Sequence, residues 1–199
     1  APPEMPENSP AGAEYRKLLG NLKADLDTLG QIQSTENKVA KKRELIDAYR
    51  SWCEGALDIE EGTAAPQDEI VVTMMIWALD IQDWDLALDL GEHVIAHKLA
   101  MPERFHRGAS AMLVSEIADA AIAEPGSVPH ATLERALPGD GPDHDMRDST
   151  VARLHRAIGE SWALQAENFN PDAESAAAGG KPALVDAAIA ALKRAIKLD

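Results

Sequence analysis

The stretch that decides the fold is QDEIVVTMMIWALDIQDWDLALDLGEHVIAHKLAMP, from Gln67 to Pro102. Apolar residues recur at steps of three and four in its first half, which predicts a helix over residues 67–81. The DWD triplet at 83–85 predicts a short turn, and a second helix is expected over about 85–97, with Asp85 as its cap. Small residues in the second helix, Ala87 and Gly91, would allow close packing. We therefore predict a helical hairpin.

The end of the chain repeats part of this pattern. In the stretch 184–199, Ala188, Leu192 and Ala195 have the spacing of the second hairpin helix, which is typical of tetratricopeptide-type units. Aromatic residues make up only 4% of the chain, which favours helices over sheets. We predict an all-α protein, with N-terminal long or coiled-coil-like helices followed by a bundle of tetratricopeptide-like hairpins.

Composition divides the chain into three parts. Residues 1–13 are rich in proline and predict a flexible leader. Residues 14–62 predict an N-terminal helical segment for oligomerisation and DNA contact, with Gly62 as the helix stop. Residues 63–199 predict an α-helical hairpin domain that contains two exposed linkers, at 138–145 and 168–182.

A seven-residue spacing runs through the N-terminal segment. Such a heptad indicates a coiled-coil-like contact, either with the body of the protein or between subunits. Both interpretations stay open at this point. The candidate oligomerisation residues are Leu22, Leu29, Ile32, Val39 and Ile46.

The formal net charge of −15 argues against a general nucleic-acid binder, because affinity for DNA comes mainly from cations that neutralise phosphates. Residues 14–50 are an exception, with eight Lys or Arg and six acids. Their basic residues concentrate at Lys38, Lys41, Lys42 and Arg43, which form the candidate DNA-binding patch. A solvated helix face is the alternative interpretation of this patch.

Three clusters could suggest a metal or catalytic site, but their spacing favours a structural role. They are the acidic loop with Asp140, Asp143, His144, Asp145 and Asp148, the acids Asp80, Asp83, Asp85 and Asp89, and the histidines His93, His97 and His106. None has the ligand pattern of a known metal motif, and the chain has no P-loop or nucleophile elbow. We therefore predict no metal site, catalytic residue or cofactor. The single cysteine, Cys53, excludes an internal disulfide and is interpreted as a small core residue.

Several blocks of sequence resemble the small terminase subunit family of peduovirus-type tailed phages. They occur in the family's order and are AKKRELI (40–46), QDEIVVTMMIWALDIQDWDLALDL (67–90), LAMPERFHR (99–107), MRDSTVARLHRAIG (146–159) and ALKRAIKLD (191–199). Relatives commonly also carry a basic leader and a Lys/Arg-rich tail. The resemblance implies that these segments provide part of the relatives' affinity for DNA.

The resemblance implies a function in packaging a phage genome. A small terminase subunit forms an oligomer, expected to be a ring, recognises viral double-stranded DNA and delivers it to the large terminase subunit. We expect this to occur in the cytoplasm of the infected bacterium, with no membrane partner, since no apolar run reaches about 18–20 residues. The family is often labelled the endonuclease subunit, so a metal-dependent endonuclease is one alternative. A tetratricopeptide-like adaptor that binds only protein is another.

Overall fold

The computed structural model describes residues 2–6, 8–59, 63–171 and 179–199. Within these ranges the chain is helical and contains no β-strand, so the predicted all-α class is confirmed. The tetratricopeptide-like arrangement stays a prediction. Gly62 and residues 172–178 of the second predicted linker lie outside the described residues. The helices are α1 (Pro10–Gln31), α2 (Thr35–Leu45), α3 (Asp47–Leu57), α4 (Glu69–Ile81), α5 (Trp84–Ala96), α6 (Ala109–Ala123), α7 (His130–Arg135), α8 (Asp148–Glu167) and α9 (Gly180–Leu198).

The chain divides into two compact units, residues 1–109 and residues 110–199. Unit 1 holds α1 to α5, and therefore includes helices from both predicted segments, 14–62 and 63–199. The division of function between those segments stays a prediction. Helix α1 begins inside the predicted leader, because the Ser9 hydroxyl accepts a hydrogen bond from the Gly12 amide at 2.9 Å and caps the helix there.

Helix α4 is the centre of unit 1. All residues from Ile70 to Leu79 are buried, and α1, α2, α3 and α5 pack against the helix. A helix that is apolar on every side is stable only when it is surrounded in this way. The Asp68 carboxylate accepts hydrogen bonds from the amides of Ile70 and Val71 at 2.9 and 3.0 Å. Because Asp68 is the cap, the helix begins at Glu69.

The predicted hairpin is present in unit 1. Gln82 ends α4 in the left-handed region, with φ of 61°. The Asp83 carboxylate then accepts a hydrogen bond from the Leu86 amide at 3.3 Å and caps α5, so the prediction of Asp85 as the cap was wrong. Ala87 and Gly91 are buried, as close packing of α4 and α5 requires.

Unit 2 is built around the pair formed by α8 and α9, with α7 packed on α8. The two long helices approach closely at Gly159, where a Cβ atom would lie 2.7 Å from Cγ of Leu192. Leu184, Ala188 and Ala195 form the buried side of α9. In the described part of the chain, no helix is long and apolar enough to cross a membrane.

Candidate nucleic-acid interface

The predicted basic patch lies on α2, a polar helix without a fully buried residue. The Ser34 hydroxyl accepts a hydrogen bond from the Asn37 amide at 3.2 Å and begins the helix. Since α2 has no apolar stripe, its sequence does not determine which face meets the rest of unit 1. Its contacts with α1, α3 and α4 therefore depend on particular side chains.

Two of the four predicted DNA-contacting residues bind α4 instead of lying free. The Lys42 ammonium pairs with the Asp80 carboxylate, and Nη2 of Arg43 donates a hydrogen bond to the carbonyl oxygen of Ile81 at 3.1 Å. Asp80 and Ile81 are the last residues of α4, where exposed carbonyl groups make a helix end partly negative and favour nearby cations. The structure thus gives Lys42 and Arg43 a role in positioning α2.

The other two residues of the patch, Lys41 and Lys38, form no ion pair with another helix in the described part of the chain. Lys41 Nζ lies 2.8 Å from a carboxylate oxygen of Glu44, one turn further along α2, and this hydrogen bond raises the pKa of Lys41. The pair is local and solvent-exposed, so it places no constraint on the rest of the fold. Lys38 is half-buried and forms no ion pair with the described residues.

Lys38 lies on the wall of a groove of 370 Å³ between α1, α2, α4 and the loop that follows α5. Among the described residues, Lys42 and Arg104 also line this groove, and Asp80 is the one acidic residue, so this lining has a formal charge of +2. The Arg104 guanidinium carbon lies 4.8 Å above the ring of Phe105, in a cation–π contact. We call this feature the basic groove.

The basic groove combines two kinds of group that bind nucleic acids. Lys38 and Arg104 offer charge and hydrogen-bond donors to phosphate oxygens, and the half-buried ring of Phe105 offers a surface for stacking. The sequence pattern indicated Lys38 but not Arg104 or Phe105, because these two residues lie in a different part of the chain. The only signal for them was the basic and aromatic run RFHR at 104–107.

The predicted oligomerisation residues lie mainly inside unit 1. Leu22, Leu29 and Ile46 are 3%, 5% and 2% exposed, whereas Ile32 and Val39 are half-buried. Packing within one chain therefore explains why apolar residues recur at most of these heptad positions. Their role in oligomerisation stays a prediction, and the three buried residues could meet another subunit only after a rearrangement.

The remaining clusters form no metal site within the described ranges, where no three His, Cys, Asp or Glu side chains are arranged to hold an ion. The rings of His93 and His97 are in contact, with centroids 4.5 Å apart. His97 accepts a hydrogen bond from the Ala65 amide at 3.3 Å through Nδ1, so its ring supports the loop before α4.

Comparison with known proteins identifies the family. Residues 19–137, which include every residue of the basic groove, match the family described as phage small terminase subunit. The chain belongs to this family. It is 36% identical over 148 residues to a protein named "Terminase, endonuclease subunit" from Escherichia phage P2, an alignment that covers 73% of this chain. The chain spans about 58% of the length of that relative. No solved structure matches the chain.

Proposed function

We propose that this terminase small subunit recognises viral double-stranded DNA and assembles with the large terminase subunit for packaging of the genome into the capsid. It acts as a homo-oligomer, expected to be a ring, in the cytoplasm of the infected bacterium. Family membership supports the packaging role. The basic groove is the single observation that carries the DNA contact, because it concentrates positive charge in a chain with a net charge of −15.

Within the proposed interface, Lys38, Lys41 and Arg104 contact phosphates, whereas Lys42 and Arg43 hold α2 against the end of α4. This division follows from the position of each residue's partner, because Lys41 pairs with Glu44 of its own helix, whereas Lys42 and Arg43 are bound to α4. The charge of Lys42 is compensated by Asp80, and Arg43 donates to a backbone carbonyl. Lys38 and Arg104 border open space in the basic groove.

The decisive experiment measures binding of the full chain to a fluorescent DNA duplex at several salt concentrations. Replacing Lys38 and Arg104 by Gln should weaken binding at every salt concentration. Each phosphate contact contributes about −0.9 to the slope of log K against log salt, so the double variant should reduce the magnitude of this slope by about 2 for each bound chain.

A matched control removes the same charge elsewhere. Lys23 and Lys197 are exposed and lie outside the basic groove, so their replacement by Gln should leave the slope unchanged. Equal weakening by both double variants would show that only the overall charge matters and would reject the basic groove as the site. Absence of binding to any duplex at low salt would instead favour the adaptor that binds only protein.

An endonuclease remains a second candidate function because the similar phage P2 protein carries that word in its name. Asp143 and Asp145, in the acidic loop around the 3₁₀ turn at Pro142–His144, are the candidate ligands for this role. They would need further ligands from water or substrate, because no three acidic, His or Cys side chains of the described residues are arranged to hold an ion. If the chain is the nuclease, pure protein should nick a supercoiled plasmid with Mg²⁺ or Mn²⁺, and replacing both residues by Asn should abolish the nicking. Nicking that requires the large subunit would assign the activity to that partner.

A further inference from the structure

The outer side of α9 is unusually apolar for a surface. In the described part of the chain, four large hydrophobic side chains are exposed, and three of them belong to this helix. Val185, Ile189 and Ile196 are 39%, 44% and 77% exposed. Their spacing of four and seven residues places them on one side of the helix, next to the side that packs on α8.

This exposed stripe has the spacing of a coiled-coil seam. Ile189 and Ile196 occupy successive a positions, and Val185 occupies a d position. The other d position is Leu192, which is half-buried because it also packs at Gly159 of α8. Such a pattern is complementary to another helix with the same spacing. Ile196 also lines a groove of 430 Å³ beside α8, which leaves room for side chains of a partner helix.

The charges beside the stripe point to a second copy of the same helix in the opposite direction. Asp186 and Lys193 occupy its two e positions. In an antiparallel pair, Val185 would face the partner's Ile196 and Ile189 the partner's Leu192. Asp186 would then lie near the partner's Lys193, and two-fold symmetry would form this ion pair twice.

A parallel pair would lack this complementarity. Parallel helices bring e positions opposite g positions, and the g positions of α9 are Ala188 and Ala195. Both alanines are buried within the folded chain. Charge and burial therefore select the antiparallel arrangement.

We propose that two copies of the chain associate through α9, paired antiparallel along Val185, Ile189, Leu192 and Ile196. The inference rests on the self-association in the proposed function and assigns a surface to one contact of that assembly. A two-fold pair closes on itself, so a ring would need a second, different contact. The α9 surface lies on a different unit from the basic groove. Replacing Lys38 and Arg104 by Gln should leave the mass of the assembly unchanged, so the two proposals fail independently.

The first test is the mass of the full chain by light scattering over a range of concentrations. The wild type should reach at least twice the chain mass of 21.4 kDa, and Ile189→Asp should lower the mass at least two-fold. Ala190→Asp is the matched control, because Ala190 is exposed on the opposite side of α9. It should keep the wild-type mass. Far-ultraviolet circular dichroism should show the same helix content in both variants.

A charge exchange tests the antiparallel pairing itself. Asp186→Lys and Lys193→Asp should each weaken association, because each places like charges opposite one another, and the two changes together should restore it. A different protein as the occupant of this face does not predict that rescue. A monomeric wild type, an unchanged mass for Ile189→Asp or an unrestored double variant would overturn the proposal.

Discussion

At the residue scale, the burial of His93 predicts that stability depends on pH. Its side chain is 8% exposed and lines an apolar cavity of 310 Å³. Burial, with a smaller contribution from nearby His97, lowers the pKa of His93 to about 4, against an ordinary value of 6.5. Between these values the unfolded chain binds a proton that the folded chain does not, so acidification destabilises the fold. From about pH 7 to pH 5, we expect the free energy of unfolding to fall by on the order of 1–2 kcal/mol.

Urea unfolding at a series of pH values measures this effect. His93→Gln cannot gain the proton and should show a smaller loss of stability over the same interval. Some pH dependence should remain, since burial also lowers the pKa of His155. An identical loss in the wild type and the variant would exclude His93 as its source.

Cys53 gives a second prediction at the residue scale. The side chain is 1% exposed, and burial raises the pKa of the thiol to about 12. Because the thiolate is the reactive form, the folded protein should resist a thiol-specific reagent at neutral pH, and unfolding in urea should release one reactive thiol. Rapid labelling of the native protein would contradict the burial that both sequence and structure assign to this residue.

At the scale of elements, the residues of α2 have two different roles. Some attach α2 to α4, and others are proposed to bind DNA. Arg43→Ala removes the hydrogen bond to the carbonyl group of Ile81 and should lower the free energy of unfolding by about 1 kcal/mol. Lys38→Ala removes no ion pair with a described residue and should change the free energy of unfolding by less than about 0.5 kcal/mol. Urea unfolding of both variants tests the distinction, and equal losses would contradict it.

The same helices show what the sequence could predict. The apolar run of α4 is long enough to indicate a buried helix without knowledge of its neighbours, so its place in the core followed from local pattern. The side chains of α2 carry no such pattern. Whether Lys42 faces solvent or Asp80 depends on a residue in another helix, which a single sequence does not reveal. The position of Arg104 in the basic groove likewise depends on residues in other helices, so the sequence did not predict it.

The heptad in α1 to α3 illustrates a related limit. Spacing of seven residues identifies a continuous apolar side, but it does not identify the surface that covers it. In unit 1, α4 packs against all three helices, and Leu22, Leu29 and Ile46 are buried. On α9 a comparable spacing remains exposed. Burial in the folded chain, rather than spacing, decides which heptad is available to a partner.

At the scale of the whole molecule, the division into two units comes after α5, because α4 and α5 belong to the core that α1 to α3 help to form. Composition suggested a boundary at residue 62, where a glycine follows an acidic turn. That boundary reflects a local break in helical pattern. The division at residue 109 reflects packing between distant helices, which is the quantity that determines cooperative unfolding.

Two cores of this kind should unfold as separate transitions. In scanning calorimetry, the measured enthalpy of unfolding should exceed the van't Hoff enthalpy of a single transition. Leu22→Ala in unit 1 and Leu154→Ala in unit 2 each create a cavity at a buried site, with an expected cost of about 2–5 kcal/mol. Each should lower one transition by roughly 8 °C or more and leave the other in place. If both variants instead shifted one common transition, the two units would unfold as a single cooperative fold.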